Sequence, residues 1–147
     1  MAVSNDKAVE SLNYLIGTLH DGETGYREAA EEVENTQFKT VFNRIAQERA
    51  SFRADLEGEV RRHGGEPQEG GSTAASLHRT WIDVRDAITG KSDEDVLAEV
   101  ERGDETAIEN YNDVLQRDLP GDLAPMVQQQ HDKIQQTLQE VRTLKRV

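Results

Sequence analysis

Five residues in this 147-residue chain pair reactive side chains with positions that helical spacing turns inward: Glu23, Glu48, Glu101, Asp104 and His131. Glu23 fills the one gap in an apolar stripe of Val9, Leu12, Ile16, Leu19, Tyr26, Ala30 and Val33, which steps by three and four. Glu48 fills the hole between Ile45 and Phe52 in a second stripe of Phe38, Val41, Phe42, Ile45, Phe52, Leu56 and Val60. Glu101 and Asp104 interrupt a third, of Leu97, Ile108, Tyr111 and Leu115, and His131 stands between Val127 and Ile134 in a fourth. Counted from the turns that join the helices, Glu23, Glu48, Asp104 and His131 fall within a turn or two of one level. Stripping a carboxylate of water costs several kcal/mol, whereas a whole domain is stable by only about 5–15 kcal/mol. Buried together, these acids must be protonated, hydrated, paired with Arg27, Arg44 or Arg49, or neutralised by a bound cation. Carboxylate and imidazole together suit one or two Fe or Mn ions, with oxygen or peroxide reacting at an open position.

The elements that must position these residues are helices. Strand alternation is absent, and the long Ala/Glu/Gln/Arg/Leu-rich stretches carry the helical period. The spacing predicts helices over about 6–34, 36–62, 73–89, 93–117 and 122–145, the third being short, with Leu77, Trp81, Val84 and Ile88 on one face. Asn35-Thr36 and Ser92 supply N-cap chemistry, and Asp93-Glu94-Asp95 places acids where the helix dipole favours them. The Gly-rich break His63–Ser72 and the turn Leu119-Pro120-Gly121-Asp122 punctuate the chain. Helices of this length span about 40 Å at ~1.5 Å per residue. Tight turns join the first pair and the last pair, and a long connection lies between. The expected fold is an all-α antiparallel four-helix bundle, one domain over 1–147, built from two hairpins joined by a long crossover that contains the short helix.

Composition narrows the function classes. Seventeen Lys+Arg against 29 Asp+Glu leave a net charge of −12, a surface that repels phosphate backbones and anionic headgroups, so neither nucleic acid nor membrane is an expected partner. No apolar run approaches the roughly 18–20 residues of a membrane span. The N-terminal MAVSNDKAVE lacks a basic-then-apolar leader and is expected to stay on the mature chain, with a cytoplasmic location by default. With no Cys there are no thiolate nucleophiles and no thiolate ligands. No phosphate-cradling glycine motif and no Ser-His-acid pattern is visible. Tyr26 and Tyr111 are expected to pack in the core with satisfied hydroxyls.

Leu12-Asn13-x-Leu15-Ile16, Asp21-Gly22-Glu23, Leu77-His78-Arg79-x-Trp81 and Glu101-Arg102-Gly103 resemble an uncharacterised bacterial family of ferritin-like bundles, over essentially the whole chain. The wider superfamily, with ferritins, bacterioferritins and rubrerythrins, takes a Glu from one helix of each pair and Glu-x-x-His from the other. The resemblance implies Glu23 as the lone Glu, Glu48 as the Glu of the second helix with Ser51 where His belongs, and Glu101 and Asp104 as the acids of the third. Gln128-x-x-His131 takes the place of the last Glu-x-x-His. His20, one turn before Glu23, is a stand-in for the absent imidazole. Three functional readings follow: a metal-binding bundle with iron or peroxide oxidoreductase chemistry, as a monomer or homo-oligomer, a metal-free bundle that acts as a structural or stress-associated interaction protein, and, ranked behind both, an iron-storage cage.

Overall fold

The computed structural model describes residues 5–69, 90–117 and 119–144. Four helices are present among them: α1 (Asn5–Glu32), α2 (Thr36–Arg62), α3 (Asp93–Leu115) and α4 (Ala124–Leu144). The short helix expected over 73–89, with His78 and Trp81, lies outside the described residues.

Local chemistry sets the helix ends. The Asn35 side chain accepts from the amides of Gln37 and Phe38 at 2.8 and 3.1 Å, and the Ser92 hydroxyl accepts from Asp95 at 3.2 Å, so each cap occupies amides that would otherwise lack partners. α1 stops at Glu32, short of the expected 34, because Lys39 Nζ reaches back 2.8 Å to the Ala30 carbonyl and the chain turns at once into the Asn35 cap. The Asp93 carboxylate accepts from the Glu34 and Asn35 amides at 2.9 and 3.1 Å, which locks that turn to the start of α3.

After α2, Gly64 adopts φ 81° and Gly65 lies so close to Val9 that an added Cβ would sit 2.6 Å from its methyl carbon. This packing folds the exit back onto α1. There the Asn13 carboxamide donates to the Glu66 carbonyl at 3.0 Å and accepts from the Gln68 amide at 2.6 Å. At the far end of α1, the Gly90 amide donates to Glu32 at 3.1 Å. The described ends of the α2–α3 connection therefore lie at opposite ends of α1. Consistent with that, Tyr14 and Asn110 bond across one end of α1 while Tyr26 and Asp104 bond further along, so α1 and α3 are antiparallel. Arg44 with Glu140, Arg49 with Thr137 and Phe52 with Gln130 make α2 and α4 antiparallel. The order is up, down, down, up, two hairpins with one long crossover.

The apolar core forms two clusters. One holds Tyr26, Val33, Phe42, Ile45, Leu97, Val100 and Val141, and the other Leu12, Ile16, Leu19, Leu56, Val60, Tyr111, Val127 and Ile134. Between them lies the layer that carries the candidate site.

Candidate functional site: a charged layer across the bundle

The inward register of α2 is Phe42, Ile45, Arg49, Leu56, Val60. Arg49, seven residues from both Phe42 and Leu56, takes the position expected for Glu48. One residue is a rotation of roughly 100° around a helix, so Glu48 moves to the flank. The same shift occurs on α1: Gly22, not Glu23, is the buried residue that bridges Leu19 and Tyr26, and Glu23 is half-buried beside it. On α3, Val100, Gly103 and Asp104 are buried while Glu101 is half-buried.

Each helix then contributes to one buried arrangement. Arg49 is 1% exposed and Asp104 0%. Arg49 Nη1 donates to Asp104 Oδ1 at 2.9 Å, and Nη2 donates to Oδ2 at 3.3 Å and to Thr137 Oγ1 at 3.0 Å. The Tyr26 hydroxyl donates to Asp104 Oδ2 at 2.6 Å, and the guanidinium carbon lies 5.4 Å from the Tyr26 ring centroid. The Thr137 hydroxyl in turn donates to the Ile134 carbonyl at 2.9 Å. Gly22 faces the cation from α1, where a Cβ would stand 3.4 Å from Nη1, in ordinary van der Waals contact.

Burial works against the charge on Arg49, but the fields of Asp104 and Tyr26 and the Asp104 hydrogen bonds outweigh it and raise its pKa. Burial pushes the Tyr26 hydroxyl well above its ordinary value, and the Asp104 charge pushes it further. Arg49 is therefore the fixed cation of the interior, Asp104 its bidentate partner and Tyr26 a neutral donor.

The remaining expected ligands lie apart from this layer. Glu23 accepts from Arg27 at 3.0 Å and from Arg53 at 2.8 Å; burial raises its pKa, yet hydrogen bonds from Arg53 and Arg27 bring it below the usual value. Glu101 accepts from Arg142 Nε at 3.2 Å, and the same guanidinium donates to Glu105 at 2.8 Å. The His131 Nδ1 lies 2.9 Å from Asp132 on its own helix, and its Nε2 is buried without a hydrogen-bond partner. Glu48 is half-buried with Oε1 lacking a partner, and burial raises its pKa against the lowering fields of Arg49, Lys133 and Arg44. His20 is half-buried in a groove with Arg53, Glu57 and Arg61. Ser51 and Gln128, the positions of the departures from Glu-x-x-His, are exposed.

An Fe or Mn centre does not fit this donor set. Both Asp104 oxygens are engaged by Arg49 and Tyr26, and both Glu23 oxygens by arginines. Among the described residues no three His, Asp or Glu side chains converge to hold an ion. The expectation that these acids need a positive partner holds for Asp104, and the partner is a side chain of this protein. Gly22 and Thr137 were the residues missed, and Arg49 was named only as one of three possible arginine partners. The seven-residue spacing Phe42-Arg49-Leu56 was the signal for its inward position; Thr137 leaves no sequence signature.

Two neutral networks lie nearer the α3–α4 turn. Tyr14 donates to Asn110 at 2.7 Å and Asn110 to Thr18 at 3.0 Å; Tyr111 donates to Gln130 at 2.7 Å and Gln130 to the Phe52 carbonyl at 3.3 Å.

Residues 7–117 match a family described as a domain of unknown function, DUF2383. No curated protein matches the chain. Among solved structures, a two-domain protein from Anabaena variabilis with DJ-1/ThiJ/PfpI-like and ferritin-like domains superposes with a TM-score of 0.82 at 16% identity, over 99% of this chain. This chain spans 40% of that protein's length. A dodecameric thioferritin, the bacterioferritin-related protein of Bacteroides fragilis, superposes with a TM-score of 0.68 at 15% identity, over 96% of this chain and 87% of that one. At these identities the likeness establishes the ferritin-like fold.

Proposed function

The chain belongs to the DUF2383 family, and from that premise we propose that it is a ferritin-like bundle that works without a resident metal, as a structural or interaction module rather than as an oxidoreductase. One observation carries the reading: Arg49 holds Asp104, Tyr26 and Thr137 together at the centre of the bundle. A dication competes with a guanidinium for the same carboxylate charge, and the only fully buried carboxylate among the described residues already accepts three hydrogen bonds, two of them from the Arg49 cation. Glu23 and Glu48 stand one position outside the inward register that Gly22 and Arg49 occupy, and both Glu23 oxygens are held by Arg27 and Arg53. The pairing of a ferritin-like domain with a DJ-1/ThiJ/PfpI-like domain in the Anabaena variabilis protein supports use of this fold as a module. The −12 charge favours protein partners over nucleic acid or anionic membrane, and among the described residues no helix is long and apolar enough to cross a membrane.

The deciding experiment is metal analysis of the full chain purified without chelator, together with thermal melting before and after chelator. A resident metal would add stability by mass action. The expected result is no stoichiometric Fe or Mn and an unchanged melting temperature. Stoichiometric metal that disappears in Glu23→Ala and Glu48→Ala would overturn the reading and restore the oxidoreductase alternative, with Glu23, Glu48, Glu101, Asp104 and His131 as its ligands.

A further inference from the structure

Charge is distributed unevenly over the outside of the bundle. Apart from the buried Asp104, α3 carries eight Asp and Glu against Arg102 alone, whereas α4 carries Asp132 and Glu140 against Lys133 and Arg142 and is neutral. The exposed face of α4 is built mainly of amides: Gln128, Gln129, Gln135, Gln136 and Gln139 are all exposed, with Asp132 and Lys133 adjacent among them. Beside this face, between α3 and α4, runs a groove of about 590 Å³ in which Ile108 and Leu138 give apolar surface.

We propose that the outer face of α4, with the groove beside it, is where two copies of this chain meet across a twofold axis. The argument is electrostatic complementarity to itself. Two molecules that each carry −12 repel one another over most of their surfaces, and a neutral face is where that repulsion is least. A twofold contact sets the same patch against its own copy, so the patch must be self-complementary. Carboxamides meet that condition because each is both donor and acceptor. Adjacent Asp132 and Lys133 meet it as well, since an antiparallel pairing of α4 with a second α4 centred on them sets each ammonium opposite the other copy's carboxylate. The half-buried Ile108 supplies apolar area at the edge. This surface is independent of the Arg49 layer, so the two proposals fail separately: metal content bears on the interior and molecular mass on this face.

The test is sedimentation equilibrium of the full chain, at low and high salt, for wild type, a Gln129→Glu/Gln136→Glu variant and a Thr24→Glu/Ala54→Glu control on the exposed faces of α1 and α2. The wild type is expected to be a dimer and the control equally so. Two added charges per copy on α4 should weaken the dimer on the order of 100-fold, because juxtaposed like charges cost several kcal/mol, with partial recovery in high salt. Circular dichroism verifies that each variant is folded. A monomeric wild type, an association untouched by the α4 charges, or one lost in the control instead would each overturn the proposal.

Discussion

Two kinds of polar layer cross the interior of this bundle. The Tyr14–Asn110–Thr18 network joins α1 to α3 with groups that each donate and accept, and its Tyr14 end is half-exposed. The Arg49–Asp104 layer joins all four helices with two full charges, neither in contact with water. When one member of a neutral network is lost, water can reach the vacated partner at the edge, whereas loss of one member of the charged layer leaves an ion in a low-dielectric interior. The charged layer is therefore tied to the correct register of every helix, and the neutral one to a single pair.

The contrast is broken most directly by Asp104→Ala, which strands the Arg49 guanidinium. It should cost about 3–5 kcal/mol in urea unfolding. The double variant Arg49→Met/Asp104→Leu should cost less than Asp104→Ala alone, because no ion is left behind. Should Asp104→Ala prove as mild as a surface substitution, the distinction between the layers would vanish. Tyr26→Phe keeps the ring over Arg49 and removes one hydrogen bond to a charged acceptor, an expected loss of about 1.5–3 kcal/mol. Asn110→Ala, the equivalent cut in the neutral layer, should fall near the lower end of about 1–3 kcal/mol, read from the same unfolding curves.

The smallest effects come from carboxylates at the flanks, and they carry opposite signs. Burial raises the Glu48 pKa in the folded state, against Arg44 and Arg49 on its own helix and Lys133 on α4, with Asp104 on α3 adding to the rise. Its contribution to stability is thus present below the ordinary carboxylate range and lost as pH climbs through the raised value. Glu48→Gln should leave the protein at least as stable at neutral pH and remove that loss. The Glu23 pKa is lowered, chiefly because hydrogen bonds from Arg53 and Arg27 overcome burial, so its contribution exists above the unfolded value and disappears as pH falls through the folded one. Glu23→Gln should destabilise the protein at neutral pH and flatten the acid limb. Melting temperatures across the acid range compare the two, and a shift in the same direction for both would contradict the assignment.

The fold class was legible because it rests on local signals. Stripes stepping by three and four, caps at Asn35 and Ser92, and one connection too long for a hairpin suffice for a bundle of this topology. The centre was legible only in part. Its level along the helices was apparent, but Glu23 and Glu48 adjoin the true inward positions, and spacing alone separates neighbours on a helix poorly when both are polar. Gly22 offers no hydrophobic signal, and a long arginine reads as a surface residue until a buried acid is found for it. Asp104 was identified as needing a positive partner; which cation it takes depends on α2 and α4, more than fifty residues and thirty residues away in sequence, and no periodicity carries that information.

Because the central cation is the end of an arginine side chain, it is synthesised with the fold and stays attached to it. On the metal-free reading proposed above, changes in metal supply would have no ion to remove from this layer, and the four helices would keep their register through them.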